Sequence, residues 1–573
     1  MLLFRNQQLI DWKRLVTLAL MVCMVFGVSS CKQKNKDKTE PQQEQILQEN
    51  GEETILLNSI EEVNFSILDT THFYIGKIDA TAYVLKIDDA SLKGVSGKCY
   101  QIDTLSHSAT PLKFQFKRDN KGYRLITRSQ KNVPVTFSIA FDSHSIHGTI
   151  TTTNGVNKEH TISFEQYTEP PYAELTSSRY CKPQYSFSQI SDIQYGKAKG
   201  FWTSYPMEDD TNYTKMIIKL LPKTAAPKYL DLYLDLYTPD DSAQKHPLLV
   251  LLHGGAFFFG DKGNRNMRVW CEHFAKCGYV VASVNYRLGF TISKSSIQQC
   301  GYQAIQDAHA ALRYLVANAE EYRIDPDYIF LAGTSAGSIT ALGAAFMNNE
   351  NCPPFVAKHK LPKKCGSLHT SGNDYRDKVK IKALANMWGA VYDLHELDGQ
   401  RIPVVSFHGT NDKIVLFDHG FPFSGVRSKL GERMFDEMFG SKAIHQYLDS
   451  LHVRNKLYPL EGCGHAPFQE KNGTLNEHYY FIQEKMQAFF YPELKSKARL
   501  KRDDQNPQLY CLDDDAVTKL SWQTKGGLIL DVVGNSVRVI WLEDAPKHLL
   551  RASGLNALGV PFKQEWNLRE ACS

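Results

Sequence analysis

Short, continuously apolar runs alternate with helix-like segments over residues 225–492. Residues 247–252 and 328–332 are two such runs, and each has the length of a single strand. The second run is closely followed by residues 338–346, whose composition favours a helix. Runs that are apolar at every position are typical of strands buried on both faces, as in a parallel sheet. We therefore predict an α/β domain over residues 169–492.

A different pattern covers residues 55–168, where short segments rich in β-branched and aromatic residues are separated by turn residues. Examples are residues 83–87 and 135–141. This pattern predicts an antiparallel β-sandwich or barrel. No acid/base pair or metal-binding cluster stands out in this region of the sequence. We interpret it as a spacer, with a carbohydrate-binding or partner-binding module as the alternative.

Two further segments follow the α/β domain. Residues 493–508 carry five basic residues followed by two aspartates, which predicts a solvated linker. Residues 509–573 are predicted to form a small β-rich module, because residues 528–542 have the pattern of a hairpin around Gly534-Asn535. The sequence leaves the role of this module open.

The N-terminal segment has the pattern of an export signal. Basic residues precede an apolar run at 15–28, and two serines then lead to Cys31. The run is shorter than the roughly 20 residues that span a membrane, so we predict a signal peptide over residues 1–30. Residues 28–31 resemble the bacterial lipobox, whose cysteine becomes lipidated, with an ordinary secretory signal or an uncleaved anchor as alternatives.

The polar residues 31–54 predict a disordered tether after that signal. We therefore expect an exported protein that is anchored to a bacterial membrane through a lipid on Cys31. The outer membrane is the favoured location, on its periplasmic or its outer face.

Charge and motif content indicate which binding partners the chain is not expected to have. The formal net charge of +4 is spread along the 573 residues, so we expect no nucleic-acid partner. No zinc-binding motif is present in the sequence, and we expect neither a metal nor a cofactor. An exported chain permits disulfides. Cys352 and Cys365 are candidate partners across a loop, and we interpret Cys463 as a bridged or merely small loop residue.

A serine lies at the predicted junction of the strand 328–332 with the helix 338–346, in Gly333-Thr334-Ser335-Ala336-Gly337. Small residues on both sides let the backbone turn sharply, which exposes the hydroxyl and the N-terminus of the helix. The five-residue motif is weak by itself, and the strand and helix around it make it specific. Ser335 is the candidate nucleophile, and Gly333 and Gly337 form its turn.

A second glycine-rich turn follows the predicted strand 247–252, in His253-Gly254-Gly255-Ala256. Its amides are candidates for binding a substrate oxygen. Acyl transfer passes through a tetrahedral anion that needs preorganised donors. We predict that the N–H groups of Gly255 or Ala256 and of Ala336 form this oxyanion hole.

Downstream, two more strand-like runs end in polar loops. Asp412 follows residues 403–407 and is the candidate acid, with Asp418 and Asp398 as alternatives. His465 lies in a glycine-flanked loop after residues 456–460 and is the candidate base. The rivals for the base are His419 and His452, neither of which has that context, and we interpret His253 and His408 as structural loop histidines.

Residues of about 225–492 resemble the α/β-hydrolase superfamily, and within it the esterase, lipase and carboxylesterase branches. The chain order Ser, Asp, His is the order of that superfamily. The elbow reads Gly-Thr-Ser-Ala-Gly-Ser, where the best-known branches have Glu or Asp before the serine and a second Gly at the end, and the oxyanion turn ends in Ala256. The resemblance is carried by four stretches: residues 230–239, 253–257, 284–290 and 304–315.

The resemblance implies a doubly wound, mostly parallel sheet and a serine carboxylic-ester hydrolase without a cofactor. Ser335, Asp412 and His465 would form its triad, and its substrates would be short-to-medium acyl or carbohydrate-borne esters. A serine exopeptidase of the same fold and a catalytically silent binding protein are the alternatives. Residues 291–300 and the aromatic-rich stretch 416–441 are candidate lid or rim elements.

Overall fold

A computed structural model describes eight strands between residues 73 and 166, and residues 167–206, 219–424, 432–470, 473–542 and 545–567. The chain divides into two compact units. One comprises residues 177–495, and the other combines described residues of 35–176 with those of 496–573. The predicted signal peptide, Cys31 and the tether lie outside the described residues.

The unit of residues 177–495 is built on an eight-stranded sheet with the order β19-β16-β14-β13-β11-β12-β10-β9. The six strands from β19 to β12 run parallel, and β10 and β9 are antiparallel additions at one edge. The predicted α/β domain with a mostly parallel sheet is confirmed. The strands are β9 (Phe187–Gly200), β10 (Lys228–Pro239), β11 (His246–Leu252), β12 (Val280–Val284), β13 (Ile324–Thr334), β14 (Ile381–Met387), β16 (Val404–Gly409) and β19 (Asn455–Leu460).

Helices pack against this sheet and complete the core. Every residue of β11 is buried, which explains why its sequence shows no polar alternation. The helix after β13 is also buried along its whole length, because its residues are small and lie between the sheet and its neighbours. The α-helices are α1 (Arg265–Lys276), α2 (Lys294–Ala317), α3 (Ala336–Phe346), α4 (Pro354–Lys358), α5 (Leu361–Cys365), α6 (Ser441–Ser450) and α7 (Glu477–Phe490), and the 3-10 helices are Leu221–Ala225, Leu394–Leu397 and Tyr491–Leu494.

The two candidate lid elements take different forms. Residues 291–300 are mainly the start of α2, where the Ser293 hydroxyl accepts a hydrogen bond from the Ser296 N–H and caps the helix. Described residues of 416–441 instead contribute two strands to a small three-stranded sheet of order β15-β18-β17. Its strands are β15 (Ala390–Val391), β17 (His419–Gly420) and β18 (Met438–Gly440).

The second unit begins with a closed antiparallel barrel of strands β1 to β8 in sequential order. The sequence left the choice between sandwich and barrel open, and the closing pair between β1 and β8 decides it. The strands are β1 (Phe73–Ile78), β2 (Thr81–Ser91), β3 (Gly94–Asp103), β4 (Pro111–Asp119), β5 (Gly122–Arg128), β6 (Pro134–Phe141), β7 (Ser145–Thr153) and β8 (Asn157–Gln166).

The C-terminal residues pack on this barrel within the same unit. Val84 and Tyr100 of the barrel share an apolar cluster with Leu528 and Ile540. The C-terminal strands form two sheets, β20-β21-β24-β23 and β22-β25-β26. They are β20 (Leu500–Arg502), β21 (Leu509–Leu512), β22 (Thr518–Lys525), β23 (Gly527–Val533), β24 (Ser536–Trp541), β25 (Leu549–Leu555) and β26 (Pro561–Asn567).

The predicted linker contains a short strand. Residues 493–508 were expected to be a solvated linker, yet they contribute β20, which pairs with β21. The charge run does not prevent a strand, because the Lys501 ammonium lies 3.0 Å from the Asp513 carboxylate across that pair. The predicted hairpin around Gly534-Asn535 is present between β23 and β24.

The cysteine prediction also needs correction. Cys352 and Cys365 are both free thiols rather than a disulfide. Cys352 Sγ instead donates to the Asn349 carbonyl, at 3.7 Å, and Cys365 Sγ lies 3.8 Å from the Gln303 amide. Cys463 forms no disulfide either, and its Sγ lies 3.4 Å from His478 Nε2. Within the described residues, helices both long and apolar enough to cross a bilayer are absent.

Candidate active site

Ser335 occupies the sharp turn between β13 and α3. Its backbone has φ 52° and ψ −120°, a conformation that a residue with a Cβ rarely adopts and that stores strain. The turn needs glycine on both sides. A Cβ on Gly333 would lie 2.3 Å from the Gly337 carbonyl oxygen, and a Cβ on Gly337 would lie 2.2 Å from that of Leu252.

The structure brings three of the sequence-predicted residues together. His465 Nε2 lies 2.9 Å from Ser335 Oγ, and His465 Nδ1 lies 2.7 Å from Asp412 Oδ2. These residues are separated by up to 130 positions in the chain. They meet because β13, β16 and β19 are parallel strands of one sheet, so the loops after them lie at the same edge.

The Asp412 carboxylate is buried and fully engaged. Its Oδ1 accepts hydrogen bonds from the N–H groups of Ile414, at 2.8 Å, and Val415, at 3.1 Å. Its Oδ2 faces His465 and also lies 3.2 Å from His408 Nε2. Burial alone would raise the pKa of Asp412, but the two histidines hold it well below its ordinary value. Asp412 is therefore an ionised, oriented acceptor at neutral pH.

The rival acids have other partners. Asp398 contacts His395 and the Tyr447 hydroxyl, and Asp418 forms an exposed ion pair with Lys442 at 2.6 Å. The rival base His419 lies 4.0 Å from Asp418 and stacks on an aromatic ring at the surface. The geometry therefore joins neither of these acids, nor His419, to Ser335.

The two histidines interpreted as structural loop residues are both buried. His253 stacks on the Tyr286 ring with a centroid distance of 4.4 Å, and its Nδ1 lies 2.8 Å from the Gly254 carbonyl. Burial lowers the pKa of His253 and favours its neutral form. His408 differs from the prediction, because it lies within β16 rather than in a loop and contacts Asp412.

The turn after β11 has an unusual backbone. Gly255 has a φ of 118°, and the next two residues, Ala256 and Phe257, have φ values of 53° and 57°. This succession of left-handed residues curls the chain so that Gly255 and Ala256 line the same cleft as Ser335 and Ala336. Ala336 is the first residue of α3, so its N–H has no partner inside the helix and remains available to an anion.

The cleft above Ser335 encloses about 860 Å³, counted out to its open mouth. None of the described residues that line it carries a carboxylate. Its side chains are mainly apolar: Phe257, Ile297, Ile339, Trp388, Tyr392, Ile414, Val415, Pro422, Phe423, Phe435, Met438 and Phe468.

Sequence reasoning missed the aromatic pair beside His465. Trp388 and Phe468 stack with a centroid distance of 5.5 Å and an interplanar angle of 1°, and the Trp388 ring lies 6.5 Å from the His465 ring. Trp388 also has a left-handed backbone, with φ 46°. Trp388 directly follows β14, at the carboxyl edge of the sheet where sites of this fold form, and this position could have identified it.

Within residues 167–206, 219–424, 432–470 and the other described parts, no group of three His, Cys, Asp or Glu side chains is arranged to hold a metal ion.

Part of the chain is similar to a known protein family. Residues 234–405 match the BD-FAE family. The matched segment contains the turn from His253 to Ala256 and the Ser335 elbow, and it ends before Asp412 and His465.

Individual relatives also match parts of the chain. The chain is 34% identical over 98 residues to gut esterase 1 of Caenorhabditis elegans, covering 17% of each protein. It is 28% identical over 200 residues to the para-nitrobenzyl esterase of Bacillus subtilis (strain 168), covering 34% of this chain and 37% of that enzyme. The chain thus spans between 17% and 37% of the length of these two relatives.

One solved structure that is similar to this chain is a thermophilic esterase from Thermogutta terrifontis with bound propionate. It is 20% identical, with a TM-score of 0.33, and the match covers 46% of this chain and 90% of that one.

Proposed function

We propose that this protein is a serine carboxylic-ester hydrolase. The observation that carries the proposal is His465, whose two ring nitrogens bridge the Ser335 hydroxyl and the Asp412 carboxylate at 2.9 and 2.7 Å. A strained serine, a histidine within hydrogen-bond distance and a buried carboxylate behind it form the constellation of nucleophilic acyl transfer. The partial similarity to known esterases supports the same chemistry.

The reaction follows from the hydrogen bonds. Asp412 can only accept, so it holds the His465 proton on Nδ1 and leaves Nε2 free to accept the Ser335 proton. The serine oxygen attacks the ester carbonyl, and the carbonyl oxygen becomes an anion bound by the N–H groups of Ala336 and of Gly255 or Ala256. His465 then protonates the departing alkoxide. Water, deprotonated by the same histidine, releases the acid from Ser335.

The cleft favours esters over peptides. An exopeptidase that removes N-terminal residues must bind a charged amine, and a carboxylate is the usual partner of that amine. The apolar lining and the absence of a carboxylate among the described cleft residues offer no such partner. We therefore infer short-to-medium acyl esters, or acyl groups carried on carbohydrate, as the substrates.

The test compares two substrate panels. Purified protein is assayed with p-nitrophenyl esters of rising chain length and with aminoacyl p-nitroanilides. We expect kcat/KM for the best ester to exceed that for the best anilide by at least about 100-fold. Preferential turnover of an anilide would contradict the ester assignment, and the Ser335→Ala variant controls for contaminating activity.

We further propose that the enzyme is exported and anchored to a bacterial outer membrane through a lipid on Cys31. The apolar run at 15–28 and the small residues before Cys31 support this location. In a bacterial host, the wild-type chain is expected in the membrane fraction and the Cys31→Ser variant in the soluble fraction. A variant that stays with the membrane would contradict a lipid anchor at this residue.

A further inference from the structure

Polar side chains continue behind Asp412 into the core. His408 is fully buried, and its Nε2 lies 3.2 Å from Asp412 Oδ2 and 2.9 Å from the Val415 carbonyl oxygen. A carboxylate and a carbonyl can only accept hydrogen bonds. Nε2 of His408 must therefore carry a proton.

The other ring nitrogen of His408 is held from the next helix. His408 Nδ1 lies 2.8 Å from Ser441 Oγ, at the first residue of α6. Ser441 Oγ in turn lies 3.0 Å from Asn386 Nδ2, on β14. All three side chains are buried, so each hydrogen bond has to be satisfied inside the protein.

The orientation of the Asn386 amide is fixed by the backbone. The Gly389 N–H donates to Asn386 Oδ1 at 2.9 Å, so this atom is the oxygen and the other terminal atom is the NH2 group. That NH2 group donates to Ser441 Oγ and to Ser406 Oγ. In the neutral tautomer of His408 that carries its proton on Nε2, Nδ1 can only accept, so the Ser441 hydroxyl donates to it.

These hydrogen bonds form one directed chain from Asn386 through Ser441 to His408, whose Nε2–H donates to the Val415 carbonyl oxygen. Its first member also accepts a hydrogen bond from Ser338 Oγ, at 2.6 Å, three residues after the nucleophile in α3. The same nitrogen of His408 lies 3.2 Å from Asp412 Oδ2, the carboxylate oxygen that faces His465. The chain thus connects the helix of the nucleophile to the acid through the core.

We propose that His408 is a positioning residue of the catalytic triad: its Nε2–H, which donates to the Val415 carbonyl and lies 3.2 Å from Asp412 Oδ2, holds the Asp412 carboxylate toward His465. This inference rests on the proposed ester hydrolysis. His408 is absent from the cleft lining, so it acts through Asp412 and not on the substrate. Among the described residues, Asp412 is the ionisable group in contact with its ring, and Phe417 packs near its face with a centroid distance of 5.7 Å.

The experiment compares His408→Leu with His408→Gln. Gln can place its amide N–H near the position of Nε2, whereas Leu fills similar space without a donor. We expect His408→Leu to lower kcat about tenfold while KM changes by less than about twofold, because only orientation of the acid is lost. His408→Gln should recover kcat to within about threefold of wild type.

The pH profile separates this role from a purely structural one. Without the His408 donor, Asp412 carries more negative charge toward His465 and stabilises its protonated form. The acidic limb of kcat/KM is therefore expected to move to higher pH by about half a unit in His408→Leu and to stay near the wild-type position in His408→Gln. In an Asp412→Asn background, His408→Leu should cause no further loss of kcat, because the carboxylate through which His408 acts has already been removed.

Three outcomes would overturn the proposal: a His408→Leu variant with wild-type kcat and pH profile, a His408→Gln variant as impaired as His408→Leu, or a full additional loss in the Asp412→Asn background. If wild-type protein hydrolyses no ester, the proposed function is wrong. The positioning role is then tested by measuring the proton NMR spectra of the same variants. The low-field Nδ1–H resonance of His465 should then shift in His408→Leu and be retained in His408→Gln, and an unchanged resonance in His408→Leu would refute the positioning role.

Discussion

Replacement of Asp412 by Asn exchanges one carboxylate oxygen, which accepts hydrogen bonds, for an NH2 group, which donates them. The N–H groups of Ile414 and Val415 both donate to Oδ1, so the amide oxygen of Asn stays at that position. The NH2 group then takes the place of Oδ2 and faces His465 Nδ1 and His408 Nε2. His465 can relieve the clash of donors only by moving its proton to Nε2, where it can no longer accept from Ser335.

The expected cost follows from this change of tautomer. In serine hydrolases, an Asp to Asn change that leaves the geometry intact lowers kcat about 10⁴-fold, which equals about 5 kcal/mol of transition-state stabilisation. We expect a loss of that order in Asp412→Asn, measured as kcat for the best p-nitrophenyl ester. The melting temperature should fall by only about 2–4 °C, because the NH2 group faces the Nε2–H of His408 while the side chain keeps its shape and its two backbone donors.

Asp418 provides the matched control, since it is an exposed aspartate in the same region that contacts Lys442 and not His465. Asp418→Asn should retain kcat within about twofold, because an exposed ion pair contributes little. A 10⁴-fold loss in Asp418→Asn, or a loss below about tenfold in folded Asp412→Asn, would refute the assignment of the acid.

Three other changes have defined outcomes. Gly337→Ala should lower the free energy of unfolding by about 3 kcal/mol, because its Cβ would meet a backbone oxygen of β11 at 2.2 Å, whereas Gly464→Ala, with nothing within 4 Å, should melt like wild type. Burial raises the pKa of Glu396 from 4.5 to about 8, so the unfolded state binds fewer protons between these pH values and stability falls as pH rises across them. Glu396→Gln should remove that fall in thermal melts. Met438→Ala should shift the preferred ester to a longer acyl chain, and Phe439→Ala, outside the cleft lining, should not.

Each of these has a contradicting result. Equal melting temperatures for the two glycine variants would show that the turn tolerates a Cβ. Parallel melting curves of Glu396→Gln and wild type from pH 5 to 8 would show that this carboxyl titrates near its ordinary pKa of 4.5. An unchanged chain-length preference in Met438→Ala would place the acyl group elsewhere.

The site residues could be predicted because local sequence signals mark the ends of strands. Ser335 is flanked by the glycines that its backbone requires, and Asp412 and His465 each follow an apolar run. The parallel sheet then brings such loops to one edge, so strand context places residues that are distant in the chain close together.

Long-range packing could not be predicted in the same way. His408 has the sequence context of a loop histidine, and only the structure shows that Ser441 and Asn386 hold it against Asp412. The linker prediction for residues 493–508 failed because charge composition does not reveal a pairing partner such as β21. Packing of the C-terminal strands on the barrel likewise depends on apolar surfaces that lie more than 400 positions apart in the chain.

The central claim is that Ser335 is a nucleophile activated by His465, and covalent labelling tests it most directly. Folded protein is treated with a fluorophosphonate probe, and the modified peptide is located by mass spectrometry. We expect stoichiometric labelling of Ser335 that is lost in Ser335→Ala and is much slower in His465→Ala. Correctly folded wild-type protein that remains unlabelled at Ser335, or is labelled at another serine, would contradict it.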